Sequence, residues 1–384
     1  MIDEIKKAFS AKKHAGIDKK LSLPRLMWQS VPYFTSLEGK ARPPLTVYWS
    51  INSVCNMFCK MCDVGQANKD SNFYSHLRVD DKLHEIGIER YKGVIDELKP
   101  YKPMIAITAT EPLLYEPLGE AIEYTRRVGM NITITTNGYL LSKRAEELAQ
   151  AGLSRLSVSI DGDEKTHNAI RGRRDGFQKA TQGIIAYKEA CRNLSISSEI
   201  IVVYTITNMN FDQLDSFYDV MIQMPIDRII FSYMNFVTDE MAQSHNLIWG
   251  DKYRATANCI NEYTQPSDVD GDVLKRQIQI VKAKDKAQNK AIFLPDFTKD
   301  DIYKFHHEPE KFMSSGRCMV NWFIAEIISS GEVIPYSRCY YVPMGNINQK
   351  PFMDIWTGEK ANAWRRELRK QRRFPACTRC DQVF

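Results

Sequence analysis

Three thiols stand at the spacing C-x3-C-x2-C in the segment Cys55-Asn56-Met57-Phe58-Cys59-Lys60-Met61-Cys62. The segment follows directly on Thr46-Val47-Tyr48-Trp49-Ser50-Ile51, an apolar and β-branched run that reads as a strand. A cysteine loop leaving the carboxyl end of such a strand lies at the mouth of a barrel or open α/β sheet. Three thiolates on a cubane [4Fe-4S] cluster leave one iron without a protein ligand, the arrangement of a reactive cluster rather than of a pure electron carrier. Zinc also accepts cysteine ligands, and three unrelated buried thiols are a further reading of the spacing alone.

The chain has 384 residues and 43% hydrophobic content, enough for a large core in a main domain with a smaller one. Its nine cysteines cluster at metal-ligand spacings, and no leader-like apolar segment is apparent. Together these point to a reducing, cytoplasmic setting rather than to a disulfide-built secreted protein. No window is apolar for long enough to span a bilayer. The start, Met1 to Lys13, is mixed in charge and compatible with a short amphipathic helix. The net charge of +5 is modest, and much of the excess lies in Arg365, Arg366, Arg369, Lys370, Arg372 and Arg373. A solvated helix face is the expectation for that run, and binding to nucleic acid is not expected.

From about residue 45 to 236 strand and helix signals alternate. Strands are predicted at Thr46 to Ile51, Met104 to Thr108, Asn131 to Thr135, Leu156 to Ile160, Ile196 to Tyr204 and Arg228 to Tyr233, with helical patterns at about 80–98, 117–128, 142–151, 177–191 and 211–222. Almost continuously apolar strands separated by helices require a parallel sheet covered by helices.

With this loop at this place, the chain resembles the radical S-adenosylmethionine (radical SAM) enzymes, although Met61 stands where the family usually carries an aromatic residue. The resemblance implies an α/β fold, a partial (β/α)6 TIM-type barrel. It also implies that the open iron chelates the amino and carboxylate groups of S-adenosylmethionine, which the reduced cluster cleaves to a 5'-deoxyadenosyl radical. Thr108-Ala109-Thr110-Glu111-Pro112 matches the family's glycine-rich segment ending in Glu-Pro, without its two preceding glycines. Glu111 is therefore expected to meet the cofactor's ammonium. Ser159, in Ser157-Val158-Ser159-Ile160-Asp161-Gly162, is a candidate donor to the cofactor's carboxylate or ribose. Arg171 is the candidate carboxylate clamp, and Asn208 matches a weaker contact position. Thr136-Asn137-Gly138 reads as a plain turn and His167 as structural.

Cys318, Cys339, Cys377 and Cys380 supply four more thiols. Around them Gly331-Glu332-Val333-Ile334-Pro335, Gly345-Asn346-Ile347 and Ile355-Trp356 resemble the SPASM auxiliary-cluster domain or its shorter twitch form. The resemblance implies a small C-terminal α+β module with one auxiliary [4Fe-4S] cluster held by four cysteines, since the sequence ends four residues after Cys380. Structural zinc is the rival for this set. Cys191 and Cys259 need no cofactor role. The expected divisions are an N-terminal extension, 1–44, broken up by Pro24, Pro32, Pro43 and Pro44; the core barrel, 45–236; a helical or polar bridge, 237–312; and the SPASM/twitch-like module, 313–384.

The expected function is hydrogen abstraction from a small polar metabolite, leading to oxidation or epimerisation of a sugar or aminocyclitol-like substrate, with flavodoxin or ferredoxin as electron donor. The extension looks too short for a peptide-binding wing, but a peptide maturase is the alternative within the same chemistry. A noncatalytic iron-sulfur or zinc scaffold binding RNA or protein is the alternative outside it. Tyr233, Asp296, His306, His307 and Arg317 are possible mouth or bridge residues, and no spacing singles out a base.

Overall fold

The structure is a computed structural model and describes residues 23–336 and 339–380. The amphipathic helix expected at Met1 to Lys13 lies outside the described residues. Ten strands form one sheet in the order β10-β9-β8-β1-β2-β3-β4-β5-β6-β7. The six anticipated strands are β1 (Thr46–Trp49), β2 (Met104–Ile107), β3 (Ile132–Thr136), β4 (Arg155–Ser159), β5 (Glu199–Ile206) and β6 (Arg228–Tyr233), each parallel to its neighbour. Val47, Trp49, Ile105, Ile107, Ile134, Val158, Val202 and Ile229 are completely buried, as strands covered by helices must be. The partial (β/α)6 barrel is thus the observed fold.

The sheet extends beyond the six strands on each side. At one edge β7 (Ala291–Leu294), from the bridge, pairs in parallel with β6. At the other, β8 (Ile324–Ile327) pairs in parallel with β1 and antiparallel with β9 (Glu332–Pro335), which β10 (Gly345–Asn346) follows. The cysteine-bearing C-terminal module is therefore joined to the barrel through one continuous sheet. Tyr48 and Glu326 are register partners across the β1–β8 junction, and both point a side chain into the same cavity.

Two further expectations need correction. The prolines of the N-terminal extension do not prevent a helix at Leu23–Thr35. Pro24 sits in its first turn, where the missing N–H costs nothing. Pro32 leaves the carbonyl of Trp28 without its helical donor, and Arg42 Nε donates to that oxygen at 3.0 Å. Nor is the basic C-terminal run a solvated face. On the helix Glu359–Gln371, Arg365 is fully buried and donates to the carbonyls of Asn321 and Trp356. Arg366 donates to Glu38 O, Arg369 to Phe34 O and Ser36 O, and Arg373 to Ser314 O. Arg366 and Arg369 thus tie the end of the N-terminal helix and the residues after it to the C-terminal segment, while Lys370 and Arg372 remain exposed.

Candidate active site

The loop after β1 is fixed by the end of the helix Glu164–Arg171. Phe58 N donates to Arg171 O and Lys60 N to Ile170 O. Gly172, which ends that helix, has φ +68, and a Cβ there would lie 2.8 Å from Phe58 O. Only glycine permits both the left-handed conformation and this approach. On the other side Asp63, just past the last cysteine, accepts from Ser71 Oγ, Asn68 Nδ2 and the backbone N–H of Cys259. Asn261 Nδ2 donates to Lys60 O at 2.7 Å. The bridge segment is therefore bonded to the cysteine loop.

Cys55, Cys59 and Cys62 line one cleft, together with Glu111, Ser159 and Arg171. Three of the four expected cofactor-contact residues thus share a space with the three thiols. The fourth does not. Asn208 lies outside this lining, and its amide is engaged by the bridge, donating to Tyr263 O at 3.2 Å and accepting from Gln265 N at 3.3 Å.

Glu111 is completely buried and accepts from Thr136 Oγ1 at 2.6 Å, Asn137 N at 2.8 Å and Leu113 N at 2.9 Å. Burial pushes its carboxyl above the usual range, opposed by these donors. A carboxylate has about four acceptor positions, so its first task is to join the segment after β2 to the end of β3. Ala109, which stands where the family pattern has glycine, takes φ +85. The glycine conformation is retained although the glycine is not. Thr110 Oγ1 is held by Asn52, through its carbonyl at 2.7 Å and its side-chain oxygen at 2.9 Å.

Arg171 Nε is 2.5 Å from Asp161 Oδ2, and its Nη1 is 3.7 Å from Cys59 Sγ. Burial pushes the Cys59 thiol up to about 12 and the Cys55 thiol to about 11. Such thiols become ligands only where a strong cation compensates the thiolate. Asn137, which the sequence marks only as a turn, directs Nδ2 to Asn56 Oδ1 at 2.8 Å and lies 4.0 Å from Cys55 Sγ. Cys259, assigned no role from sequence, is 3% exposed, has φ +57 and lines the same cleft. Of the five possible mouth residues, Tyr233 alone lines it. Asp296 pairs with Lys282, His306 is buried beside Tyr233, His307 contacts Val269 O, and Arg317 is exposed.

Cys318, Cys339, Cys377 and Cys380 line a second cavity. Between the last two, Arg379 is buried and donates to the carbonyls of Lys304, Phe305, Glu308 and Lys311, which anchors the cysteine pair to the end of the helix Lys299–His307. Among the described residues no three His, Cys, Asp or Glu side chains converge on a single metal position. Both cysteine sets instead surround a space, and a cubane fits that arrangement because its thiolates attach to separate iron corners. A single tetrahedral zinc needs its sulfurs drawn together about one ion.

Residues 49–218 match the Radical SAM superfamily, and residues 318–381 match an iron-sulfur cluster-binding domain, SPASM. The chain carries a radical SAM domain followed by a SPASM domain. This radical SAM protein is 24% identical to the AdoMet-dependent heme synthase of Methanosarcina barkeri over 84% of either chain. It is 23% identical to the pre-heme d1 synthase of Dinoroseobacter shibae, over 83% of this chain and 75% of that one. To the Fe-coproporphyrin III synthase of Methanosarcina barkeri it is 28% identical, over 51% of this chain and less than half, 45%, of the relative. Among solved structures, Streptococcus suis SuiB bound to S-adenosylmethionine superposes with a TM-score of 0.58 at 15% identity, covering 93% of this chain and 76% of SuiB. AnSMEcpe with bound AdoMet gives 0.56 at 16% identity, covering 83% of each chain. These superpositions establish the radical SAM fold. The cofactors of this radical SAM protein are S-adenosylmethionine and [4Fe-4S] clusters, one of them auxiliary.

Proposed function

We propose that this chain is a radical SAM oxidoreductase or epimerase acting on a small polar metabolite, a sugar or aminocyclitol-like molecule. The observation that carries this reading is that the two cavities are adjacent and share a wall. Phe73, Thr108, Ala109, Asn235 and Tyr336 line both the three-cysteine cleft and the four-cysteine cavity. A substrate seated between them touches both.

In this reading Cys55, Cys59 and Cys62 hold the first cluster, and Cys318, Cys339, Cys377 and Cys380 the auxiliary one. When bound and reduced by a flavodoxin or ferredoxin, the first cluster and S-adenosylmethionine supply a radical that abstracts hydrogen from an unactivated carbon. The protein's own contribution is positioning and exclusion of water. Thr108, Asn235, Asn258 and Tyr336 offer hydroxyl and amide groups to a hydroxyl-rich molecule, while Met57, Met61 and Phe73 supply the apolar wall. Ser159 and Arg171 orient the cofactor, and the Asp63–Cys259 bond holds the bridge against the cysteine loop. Among the described residues no helix is long and apolar enough to cross a membrane.

A second reading, radical chemistry on a tetrapyrrole, is favoured by the AdoMet-dependent heme synthase that matches over 84% of its length. Deuterium transfer separates the two. Reduced protein is incubated anaerobically with S-adenosylmethionine and deuterated aminocyclitols, sugars, coproporphyrins or peptides, and 5'-deoxyadenosine is analysed by mass. Label arriving from an aminocyclitol or sugar supports the first reading. Label arriving only from a porphyrin or a peptide overturns it.

A further inference from the structure

Tyr340 is buried, and its hydroxyl lies 3.3 Å from Cys377 Sγ. The ring is held on several sides. His245 stacks on it with centroids 5.5 Å apart and planes at 14°, Trp364 lies 5.3 Å away and Phe374 5.6 Å away. His245 is itself fixed through Nε2, 2.6 Å from Tyr253 O. So many contacts leave the phenol little freedom to turn from the sulfur.

A sulfur bound to iron is deprotonated and can only accept, so with a cluster in place the hydroxyl is the donor. A hydrogen bond to a thiolate withdraws electron density from it and strengthens as the cluster gains negative charge. It therefore favours the reduced state.

We propose that Tyr340 is a positioning residue of the auxiliary site, whose hydroxyl bond to Cys377 raises that cluster's reduction potential and so fits it to accept an electron. The electron comes from the substrate radical left by hydrogen abstraction, which passes one electron to the auxiliary cluster and releases one proton to solvent to become the oxidised product. The inference rests on Cys318, Cys339, Cys377 and Cys380 being the ligands of that cluster, and it favours oxidation over epimerisation.

The test is a midpoint-potential titration followed by electron paramagnetic resonance. It uses the full chain carrying Cys55→Ala, Cys59→Ala and Cys62→Ala, with and without Tyr340→Phe, a change that keeps the ring and removes only the hydroxyl. Iron and sulfide are measured on the same samples. If the ligand reading is wrong, iron is missing from the parent protein before Tyr340 is touched. With iron present in both, a more negative potential in the Phe variant is the expected result, and an unchanged potential overturns the proposal. Should the Phe variant not retain its cluster, 3-fluorotyrosine at position 340 is the second probe. Its stronger donor is expected to move the potential upward, and no movement overturns the proposal equally.

Discussion

Arg171 and Asp161 form an ion pair of 2.5 Å in which the carboxylate is wholly inaccessible to solvent. Asp161 Oδ1 also accepts from Thr205 N at 2.8 Å, so the pair joins the helix Glu164–Arg171, which anchors the cysteine loop, to β5. Asp161→Asn leaves a buried guanidinium without its counter-charge, a class of change that costs about 3 kcal/mol or more. Urea unfolding of the cofactor-free protein is expected to report that loss. A change below about 0.5 kcal/mol, the scale of ordinary surface substitutions, would contradict the structural role.

Gly172→Ala is expected to act on one cluster and not the other. The new Cβ meets Phe58 O within the cysteine loop, so the loop must shift to admit it. Iron analysis of the reconstituted variant is predicted to give about half the parent's content, the auxiliary share remaining, since each cluster holds about four irons. Full retention of iron would mean that the loop tolerates displacement.

Ala109→Gly should stabilise. A non-glycine residue at φ +85 carries strain of about 1 kcal/mol. Thermal or urea unfolding should show a gain of that order, offset in part by the greater freedom of glycine in the unfolded chain. Weaker S-adenosylmethionine binding in the variant, read by calorimetry, would mean that the alanine methyl itself packs on the cofactor.

Acid sensitivity follows from buried histidines. Burial holds His76 and His306 down to about 3 and His167 to about 4. His167 has a defined reason to stay neutral, because its Nδ1 accepts from Asp161 N. Each binds a proton in the unfolded chain near its ordinary value of 6.5 and resists doing so when folded. Stability is therefore full above about pH 6.5 and falls as pH drops from there toward 4. Urea midpoints measured across that range should decline, and His167→Gln should flatten part of the slope. A midpoint independent of pH over this interval would refute the assignment.

The strands were legible because each is an apolar run bounded by polar residues, and β6 is found at the predicted Arg228–Tyr233. β7 was not, because Ala291-Ile292-Phe293-Leu294 is only four residues long, between Lys290 and Pro295, in an otherwise polar stretch. β8 carries the right residues, but a local pattern cannot say that its partner is β1, almost 280 positions earlier. The cysteines stand out by their spacing, and Glu111 by its place in a segment that resembles the family's Glu-Pro motif. Asn137 does not, since Thr-Asn-Gly fits any turn, and its aim toward Cys55 depends on where β3 ends. Cys259 belongs to no motif, and the bond from its N–H to Asp63 helps hold it at the cleft. Asn208 occupies the expected place after β5, yet the bridge uses its amide. The arginines near the end look solvated by composition, and only their carbonyl partners reveal them as internal ties.

The account stands on two cysteine sets holding two separate clusters in two adjacent cavities that share a wall. The measurement that reaches this most directly is the iron and sulfide content of the anaerobically reconstituted chain with Cys55, Cys59 and Cys62 all changed to Ala. The account predicts about four irons and four sulfides per chain, held by Cys318, Cys339, Cys377 and Cys380. Iron near zero in a variant that circular dichroism shows to be folded, or a single zinc in its place, would contradict it.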